Sequence, residues 1–461
     1  MPIESKNPIK TLAEVDIDKC RAVVNGERSV HAGEETYLPK LNGMTDEQYD
    51  SYRLRTLFFN ATARTVDGLI GSVFRKDITT DFDSRFEAFS NRVTTDGLSL
   101  PEYFKQVFEE VLSVGFCGTF IDYSQVPTGT SMAQAESLGY GANWTLYRAE
   151  NIRNWKFKTI NGKRMLSLVV LDEGYNDEET SDEFEDATEP AIRVLRLDDT
   201  GYSSTKYIKS GTNWKVIQYE EPVMAGQRLR FIPFVMHTPD SNIDSICPPL
   251  LDLVNVNIKH YQLKADHSHA LHFVALPTPY VLGVDSDDES APSSVGPSKL
   301  WLIGNQDAKV GMLEYTGAGI ESISNELTRL EQMMAQLGAR LLSPSKDFAE
   351  TATAEQIKSI GEHSMLYSIV GSIQNQLDNV CSITASWIGA SSFITKINKD
   401  FVSSKLDPTS LLSLVTAWQE GAISKQTMFD NLKQGEIVNN NSDFEEEEAL
   451  ILEGLGVSAI E

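Results

Sequence analysis

At 461 residues the chain is longer than one hydrophobic core normally supports, so about two to four structural regions are expected. A hydrophobic content of 41% and an aromatic content of 9% exclude disorder of the whole chain. Acidic residues outnumber basic ones by 66 to 40, a net charge of -26, which is the opposite of the balance that holds nucleic acid by neutralising phosphates. Such acidity either serves solubility alone or lets a polyanion pass without holding it.

The cysteines and the apolar runs restrict the class further. Four cysteines lie far apart without a CxxC pair, which argues against a zinc site or a disulfide scaffold and fits a reducing compartment. The first residues lack an apolar signal segment, and no run of about 18 apolar residues occurs. We therefore expect neither a secreted nor a membrane-spanning protein.

The first 45 residues are polar and weakly patterned, which predicts an arm with one short helix at 19–25, ordered only by its neighbours. Thr45 with Gln48 then forms a capping box, and apolar residues continue at helical spacing as far as Phe74. This pattern predicts a helical stretch with a wide buried face.

The next 150 or so residues change from helix to sheet. Leu100-Pro101 opens a helix that Gly115 ends, and 118–123 has the composition of a strand. Residues 147–155 predict a helical turn followed by a strand. Apolar runs at 166–171, 191–197, 205–208 and 214–219, separated by turn residues, predict an antiparallel meander. The fold class expected for residues 46–249 is α+β.

An acidic run at 172–189 interrupts that meander. It holds ten acidic residues but lacks the Asp-x-Asp-x-Asp-Gly spacing of a calcium loop, so a solvated hairpin tip is the favoured interpretation.

A module of unusual order follows at 248–389. Pro248-Pro249 starts a helix at 250–276, and a Gly/Pro/Ser/Asp-rich β excursion follows at 277–319, with short strands expected at 280–284, 300–303 and 310–315. A second amphipathic helix covers 320–342. A short break at 343–351 precedes a third helix at 352–389, about 54 Å long at about 1.5 Å per residue.

Histidines in the first of these helices raise the question of a metal. His260, His267, His269 and His272 do not converge, and only Asp266 could complete a set, so polar packing between helices is the favoured interpretation. The excursion cannot form its own core, and we expect it to be stabilised by packing against copies of itself.

The last part of the chain predicts a strand near 393–401, helices at 407–420 and 425–433, and an acidic end. Nowhere does the sequence contain a GxxxxGK[ST] loop, a GxGxxG turn after a strand, an HExxH helix or a GxSxG elbow. No catalytic residue, cofactor site or metal site is therefore predicted, and the protein is not expected to be an enzyme.

Several segments together resemble a family of tailed-bacteriophage portal proteins, the head-tail connectors first catalogued as a domain of unknown function. Besides the module at 248–389, the resemblance rests on 64–77, 115–123, 147–155 and the segment Leu337-Gly338-Ala339-Arg340-Leu341-Leu342. It covers residues 46–433, and the order of the matches carries it, since no single motif is as specific as a nucleotide-binding loop.

The resemblance implies a portal-like fold for each part of the chain. The implied divisions are an N-terminal arm at 1–45, an α/β wing at 46–249, stem helix 1 at 250–276, a β clip at 277–319, stem helix 2 at 320–342, a tunnel loop at 343–351, the long channel helix at 352–389, a wing strand at 390–406 and a helical crown at 407–461.

The resemblance also implies a passive role. Portal proteins form rings, usually dodecamers, at one capsid vertex, and double-stranded DNA is packaged and ejected through them without sequence specificity. The implied partners are the large terminase subunit, the head-tail adaptor and the major capsid protein, with assembly in the host cytoplasm and no membrane.

Two sets of site residues follow from the resemblance. The tunnel loop would place Lys346 as one cation per subunit against passing DNA, although an exposed loop lysine is the alternative. The implied tunnel-loop residues are Ser343, Ser345, Lys346, Asp347 and Phe348. The implied clip-docking residues are Asp285, Asp287, Asp288, Lys299 and Trp301.

Two other interpretations stay open. A different structural ring of the virion, such as an adaptor or an internal head protein, would share the symmetry without docking a motor; the β excursion argues against it because adaptors are usually much shorter. An uncharacterised enzyme is disfavoured by the missing motifs.

Overall fold

The structure is a computed structural model of an α+β protein. It describes residues 3–123, 141–175, 189–224, 226–275, 278–283, 307–313, 318–340, 365–401, 408–435, 437–438 and 442–454. None of the helices in these ranges is long and apolar enough to cross a membrane.

The chain begins with three helices, α1 (Pro8–Asn25), α2 (Glu27–Ala32) and α3 (Asp46–Leu54). The prediction of a short helix in a loosely held arm was wrong, because α1 starts at Pro8, where the Asn7 side chain accepts a hydrogen bond from the Ile9 N–H. Its inner face carries Ile17, Cys20 and Val23 at helical spacing, all buried, and periodicity over so short a polar stretch is easily missed. The Thr45 capping box is confirmed.

The helical stretch predicted as far as Phe74 is two helices, not one. After α3 the chain runs without regular structure to Asn60, whose side chain caps α4 (Ala61–Val73) by accepting from the Ala63 N–H. The break is held by Glu27, which accepts from the Phe58 N–H, so a contact distant in sequence overrides the local periodicity. Two further helices follow, α5 (Ser84–Ser90) and α6 (Leu100–Val114), and Gly115 in the left-handed conformation ends α6.

The strands form one large sheet and several smaller ones. The antiparallel meander is confirmed and is extended by one strand, to the order β4 (Ile152–Ile160), β5 (Lys163–Tyr175), β6 (Glu189–Leu197), β7 (Tyr202–Ser210), β8 (Asn213–Glu220). A three-stranded sheet has β2 (Cys117–Tyr123) in its centre, flanked by β3 (Ala142–Arg148) and β11 (Phe234–His237). Two-stranded ladders join β1 (Thr79–Phe82) to β14 (Phe393–Lys396) and β9 (Val223–Met224) to β10 (Gln227–Arg228).

The predicted central module is present in the described residues. It consists of α7 (Leu251–Ala275), β12 (Thr278–Leu282), β13 (Lys309–Leu313), α8 (Ala318–Arg340) and α9 (Met365–Ile388). Residues 300–303 and 352–364, predicted as a strand and as the start of the long helix, lie outside the described residues. The chain continues with α10 (Pro408–Gln419), α11 (Lys425–Gln434) and α12 (Phe444–Gly454).

Two adjoining cores hold these elements together. One packs α9 against α4, α6 and the three-stranded sheet around Trp144, whose indole N–H donates to Thr384 Oγ1 at 2.8 Å. The other packs α1, α2, α3 and α7 against the five-stranded sheet. A buried ion pair joins α1 to α6, because the Arg21 guanidinium contacts Glu110 at 2.5 Å and Glu150 at 2.7 Å.

Candidate functional site: the paired helices and their β ribbon

Helices α7 and α8 lie side by side and antiparallel. Each joins the ladder between β12 and β13 at one end, so the C-terminus of α7 and the N-terminus of α8 meet there. Farther along, the His260 Nε2 of α7 lies 3.2 Å from the Glu331 Oε1 of α8. We call α7, α8 and the two strands the stem hairpin.

Asn257 fixes the stem hairpin to the rest of the protein. It is fully buried, and its amide nitrogen donates to the Phe59 carbonyl at 2.8 Å. Its amide oxygen accepts from both the N–H and the hydroxyl of Thr62, at 3.2 and 2.9 Å. One free backbone donor in the first turn of α4, the Thr62 N–H, is therefore satisfied by a side chain of α7, and this contact ties α7 to the body.

The histidines of α7 take part in packing between elements. His260 is 3% exposed and lies beside Phe59, and burial lowers the pKa of its ring although Glu331 acts in the opposite direction. Burial also lowers the pKa of His267 and of His269, whose ring meets the edge of Tyr52. In the described part of the chain no group of three or more histidine, cysteine or acidic side chains could hold a metal ion.

A second polar contact lies farther along α7. The Tyr52 hydroxyl donates to Asp266 Oδ1 at 2.6 Å, and burial together with this carboxylate raises the pKa of the tyrosine. Beyond Asp266 no described residue of α7 is buried, and on α8 the first buried residue is Leu327. The distal half of the stem hairpin therefore projects past the cores of the body.

The ribbon of β12 and β13 exposes apolar side chains on both faces. Val281 lies opposite Val310, and Tyr280 lies opposite Gly311, so successive residues alternate between the faces. Tyr280 and Leu282 on one face are 44% and 57% exposed, and Val310 and Met312 on the other are 55% and 56% exposed. A two-stranded ribbon with no buried face is marginally stable by itself in water.

The predicted site residues lie outside this framework. All five tunnel-loop residues fall in 341–364, and all five clip-docking residues fall in 284–306, two ranges outside the described residues. The described flanks are α8, which ends at Arg340, and the strands that enclose 284–306 in sequence. The assignment of Lys346 and Asp285 to DNA and partner contacts thus remains a prediction.

Sequence reasoning missed the residues that position the stem hairpin. The sequence pattern assigned no role to Asn257, and Asp266 was considered only as a metal ligand, although each bonds a residue about 200 positions away. One sequence signal was available for Asn257, because an amide in line with Val254 and Tyr261 interrupts an apolar stripe. A polar residue in a buried stripe needs a partner.

Comparison with known proteins gives one family and several solved structures. Residues 249–388 match the model of a family described as a domain of unknown function (DUF4055), so the match runs from the start of the stem hairpin to the end of α9. No curated protein matches the chain.

Three of the similar solved structures are components of gene transfer agent (GTA) particles. A chain in the neck of an empty particle, computed with C6 symmetry, is 11% identical at a TM-score of 0.41, covering 91% of this chain and 96% of its own length. A chain in the virion of the native particle is 9% identical at 0.40, covering 94% and 99%. A chain in the native neck, computed with C12 symmetry, is 11% identical at 0.42, covering 82% and 91%. Overlaps of this quality define neither fold nor function.

Proposed function

We propose that the protein is a portal protein: a ring at one capsid vertex through which double-stranded DNA is packaged and ejected, and on which the terminase and the head-tail adaptor dock. The observation that carries the proposal is the stem hairpin. It projects from the body and ends in a ribbon with two exposed apolar faces, which copies of the same ribbon arranged in a ring would cover.

The proposed assignments along the chain are those that the resemblance implies, and the order of the described elements supports them. Helices α7 and α8 are the stem, the ribbon and the residues it encloses are the clip, and α9 is the described part of the long helix beside the channel. The net charge of -26 fits a passive conduit, because like charge removes the counterion release that makes DNA adhere. Lys346 in the tunnel loop supplies one weak cationic contact per subunit.

The position of the chain in purified particles tests this function against that of another virion ring. An asymmetric cryo-EM reconstruction should place a ring of this chain, expected to be a dodecamer, within one vertex of the shell and in contact with the major capsid protein. A ring that lies wholly outside the shell, with a different chain in the vertex, would make the protein an adaptor and contradict the proposal.

The clip assignment has its own test. Deleting residues 285–298 removes the enclosed segment between β12 and β13 and should leave ring assembly intact while weakening binding to the terminase or the adaptor. Surface plasmon resonance on assembled rings measures that binding, and Asp96→Ser, in an exposed loop of the body, serves as a control that should bind as the wild type does. Failure of the deleted chain to form rings would show that the clip assignment is wrong.

A further inference from the structure

A cavity of about 640 Å³ lies between the five-stranded sheet, strand β11 and helix α9. Its walls are mostly apolar and rich in methionine and phenylalanine, from Phe157 and Met165 on the sheet to Met224 and Phe231 on the segment before β11. The successive residues Phe234, Val235 and Met236 line its floor, so β11 borders it along its length. We call this cavity the β11 groove.

The free edge of β11 faces this groove. The Ile121 N–H donates to the Pro233 carbonyl at 2.9 Å, so in an antiparallel ladder Val235 and His237 also bond towards β2, while Met236 and Thr238 turn their backbone groups to the outer side. Both backbone groups of Thr238 are satisfied by one side chain, since its N–H donates to Gln376 Oε1 at 3.1 Å and its carbonyl accepts from Gln376 Nε2 at 3.0 Å.

Met236 has no such partner. Within the described ranges no group bonds to its outward N–H or carbonyl, although the residue is 5% exposed. The Thr238 hydroxyl, also on the groove and 1% exposed, is likewise without a described partner. A buried backbone group left unpaired costs about 1–3 kcal/mol, and because the Phe234 N–H already bonds the Ile232 carbonyl at 2.8 Å, Met236 is the described residue at which this edge can bond one more strand.

Charge is almost absent from the described residues that line the groove. Helix α9 has one charged residue, Asp378, and this carboxylate accepts internally from Gln374 and from Thr395, both at 2.7 Å. The part of α9 that borders the groove presents exposed, uncharged side chains. They are Asn375, Asn379, Ser382 and Ser386. Among the described lining residues Arg164 is the cation, and it donates two hydrogen bonds to the Asp244 carboxylate, at 2.8 and 2.5 Å.

We propose that the β11 groove receives an extended segment of a second copy of this chain, which adds as a strand to the outer edge of β11 and packs against α9. Two copies that each carry a net charge of -26 repel one another, so they approach best where charge is missing, and this surface is such a place. A partner of another kind, selected to bind so acidic a protein, would use basic residues and would gain nothing from an uncharged groove.

The contact is heterologous, because a groove on one copy receives a segment from elsewhere on the next, and such contacts close into rings. The inference thus rests on the proposed ring and names one of the surfaces that form it. Main-chain hydrogen bonds to Met236 supply affinity, and the methionine and phenylalanine walls accept uncharged side chains.

Two added carboxylates on the groove side of α9 test the contact. Asn379→Glu with Ser382→Glu should give a folded chain that stays monomeric at concentrations at least tenfold above those where the wild type assembles, as measured by mass photometry. Gln48→Glu with Ser51→Glu is the matched control, since it adds the same two charges at the same spacing on exposed positions of α3 and keeps the capping box.

A second variant addresses the strand edge. Met236→Pro removes an N–H that the ladder with β2 does not use, and Met236→Val, which also shortens the buried side chain but keeps the N–H, is its control; assembly should be at least tenfold weaker for the proline variant than for the valine variant. Val235→Pro, which removes an N–H that bonds β2, should instead lower the melting temperature.

A photoreactive residue at Met165 should give a cross-linked product of twice the subunit mass.

The outcomes separate the two proposals. If the wild type forms rings and the groove variants form them equally well, or if the Met165 cross-link stays within one chain, the groove contact is wrong and the ring stands. Equal dissociation of the α3 control would show that added charge alone disrupts assembly, which also overturns the groove contact. If the wild type never assembles, the proposed function fails.

Discussion

Asn257 shows how much one buried side chain contributes here. It bonds three polar groups of the neighbouring segment, so Asn257→Ala leaves the Thr62 N–H and hydroxyl without partners and removes one of the two hydrogen bonds that the Phe59 carbonyl accepts. We expect a loss of about 2–4 kcal/mol in the free energy of unfolding, measured by urea denaturation. Asn255→Ala, on the exposed face of the same helix, should cost less than about 0.5 kcal/mol. Equal losses in the two variants would contradict the anchoring role of Asn257.

His237 makes stability depend on pH. Its Nε2 lies 2.7 Å from Thr119 Oγ1, which accepts from the Tyr103 hydroxyl, and complete burial lowers the pKa of the ring to about 3 from an ordinary value of 6.5. Below pH 6.5 the His237 ring of the unfolded chain takes up a proton, whereas the buried ring of the folded chain stays neutral. The contribution of His237 to the free energy of unfolding is therefore fully present above pH 6.5 and is lost as the pH falls towards about 3.

The comparison with His237→Gln isolates that effect. The stability advantage of the wild type over the variant should shrink by about 1.4 kcal/mol for each pH unit below 6.5, as measured by urea denaturation between pH 7 and pH 5. Other titrating groups contribute equally to both proteins and cancel. An advantage that is constant across this range would contradict a neutral, buried His237.

At the scale of elements, sequence periodicity correctly predicted the helices and strands whose bounds are set by local interactions. The helix that becomes α6, the antiparallel meander and the second stem helix, α8, have strong periodic patterns, and the ends of α6 and of both stem helices differ from prediction by few residues. The predictions failed where contacts with residues distant in sequence determine the bounds of an element. Glu27 holds the break before α4, and the inner face of α1 is buried by α6 and the sheet.

Helix α1 should therefore be indispensable rather than a removable arm. Deleting residues 1–26 removes the apolar face around Ile17 and Val23 and leaves the buried Glu110 carboxylate without Arg21. We expect loss of the near-ultraviolet circular dichroism of the native fold and strong binding of a hydrophobic dye. Deleting residues 442–461, which hold the more exposed helix α12, should preserve both signals. A truncated chain that folds as the wild type does would restore the arm interpretation.

The site was predictable only in outline. The order of helix, β excursion and helix can be read from local sequence patterns, and the described elements of the stem hairpin follow that order. The partners of Asn257 and Asp266 depend on how the body folds, and the free edge of β11 depends on which strand pairs with β2. Neither can be read from spacing along one chain, because each joins segments more than 100 residues apart.

At the scale of the whole molecule, charge sets the expected behaviour towards DNA. An acidic ring with one cation per subunit at the tunnel loop should bind duplex DNA weakly, with a shallow dependence of the binding constant on salt. Lys346→Ala should weaken that binding further without affecting assembly, and Lys158→Ala, on the exposed sheet, is the control. Fluorescence anisotropy at several salt concentrations measures both. Tight binding with a steep salt dependence would contradict a sliding conduit.

The central claim is that this chain closes into a ring with an axial opening, and native mass spectrometry of the purified protein, with electron microscopy of the same sample, tests it most directly. We propose that neighbouring copies cover both the ribbon with two exposed apolar faces and the uncharged β11 groove. We predict a single closed species of about twelve subunits whose top views show a central hole. A protein that remains a 51.2 kDa monomer at high concentration, with no ring particles, would contradict the account.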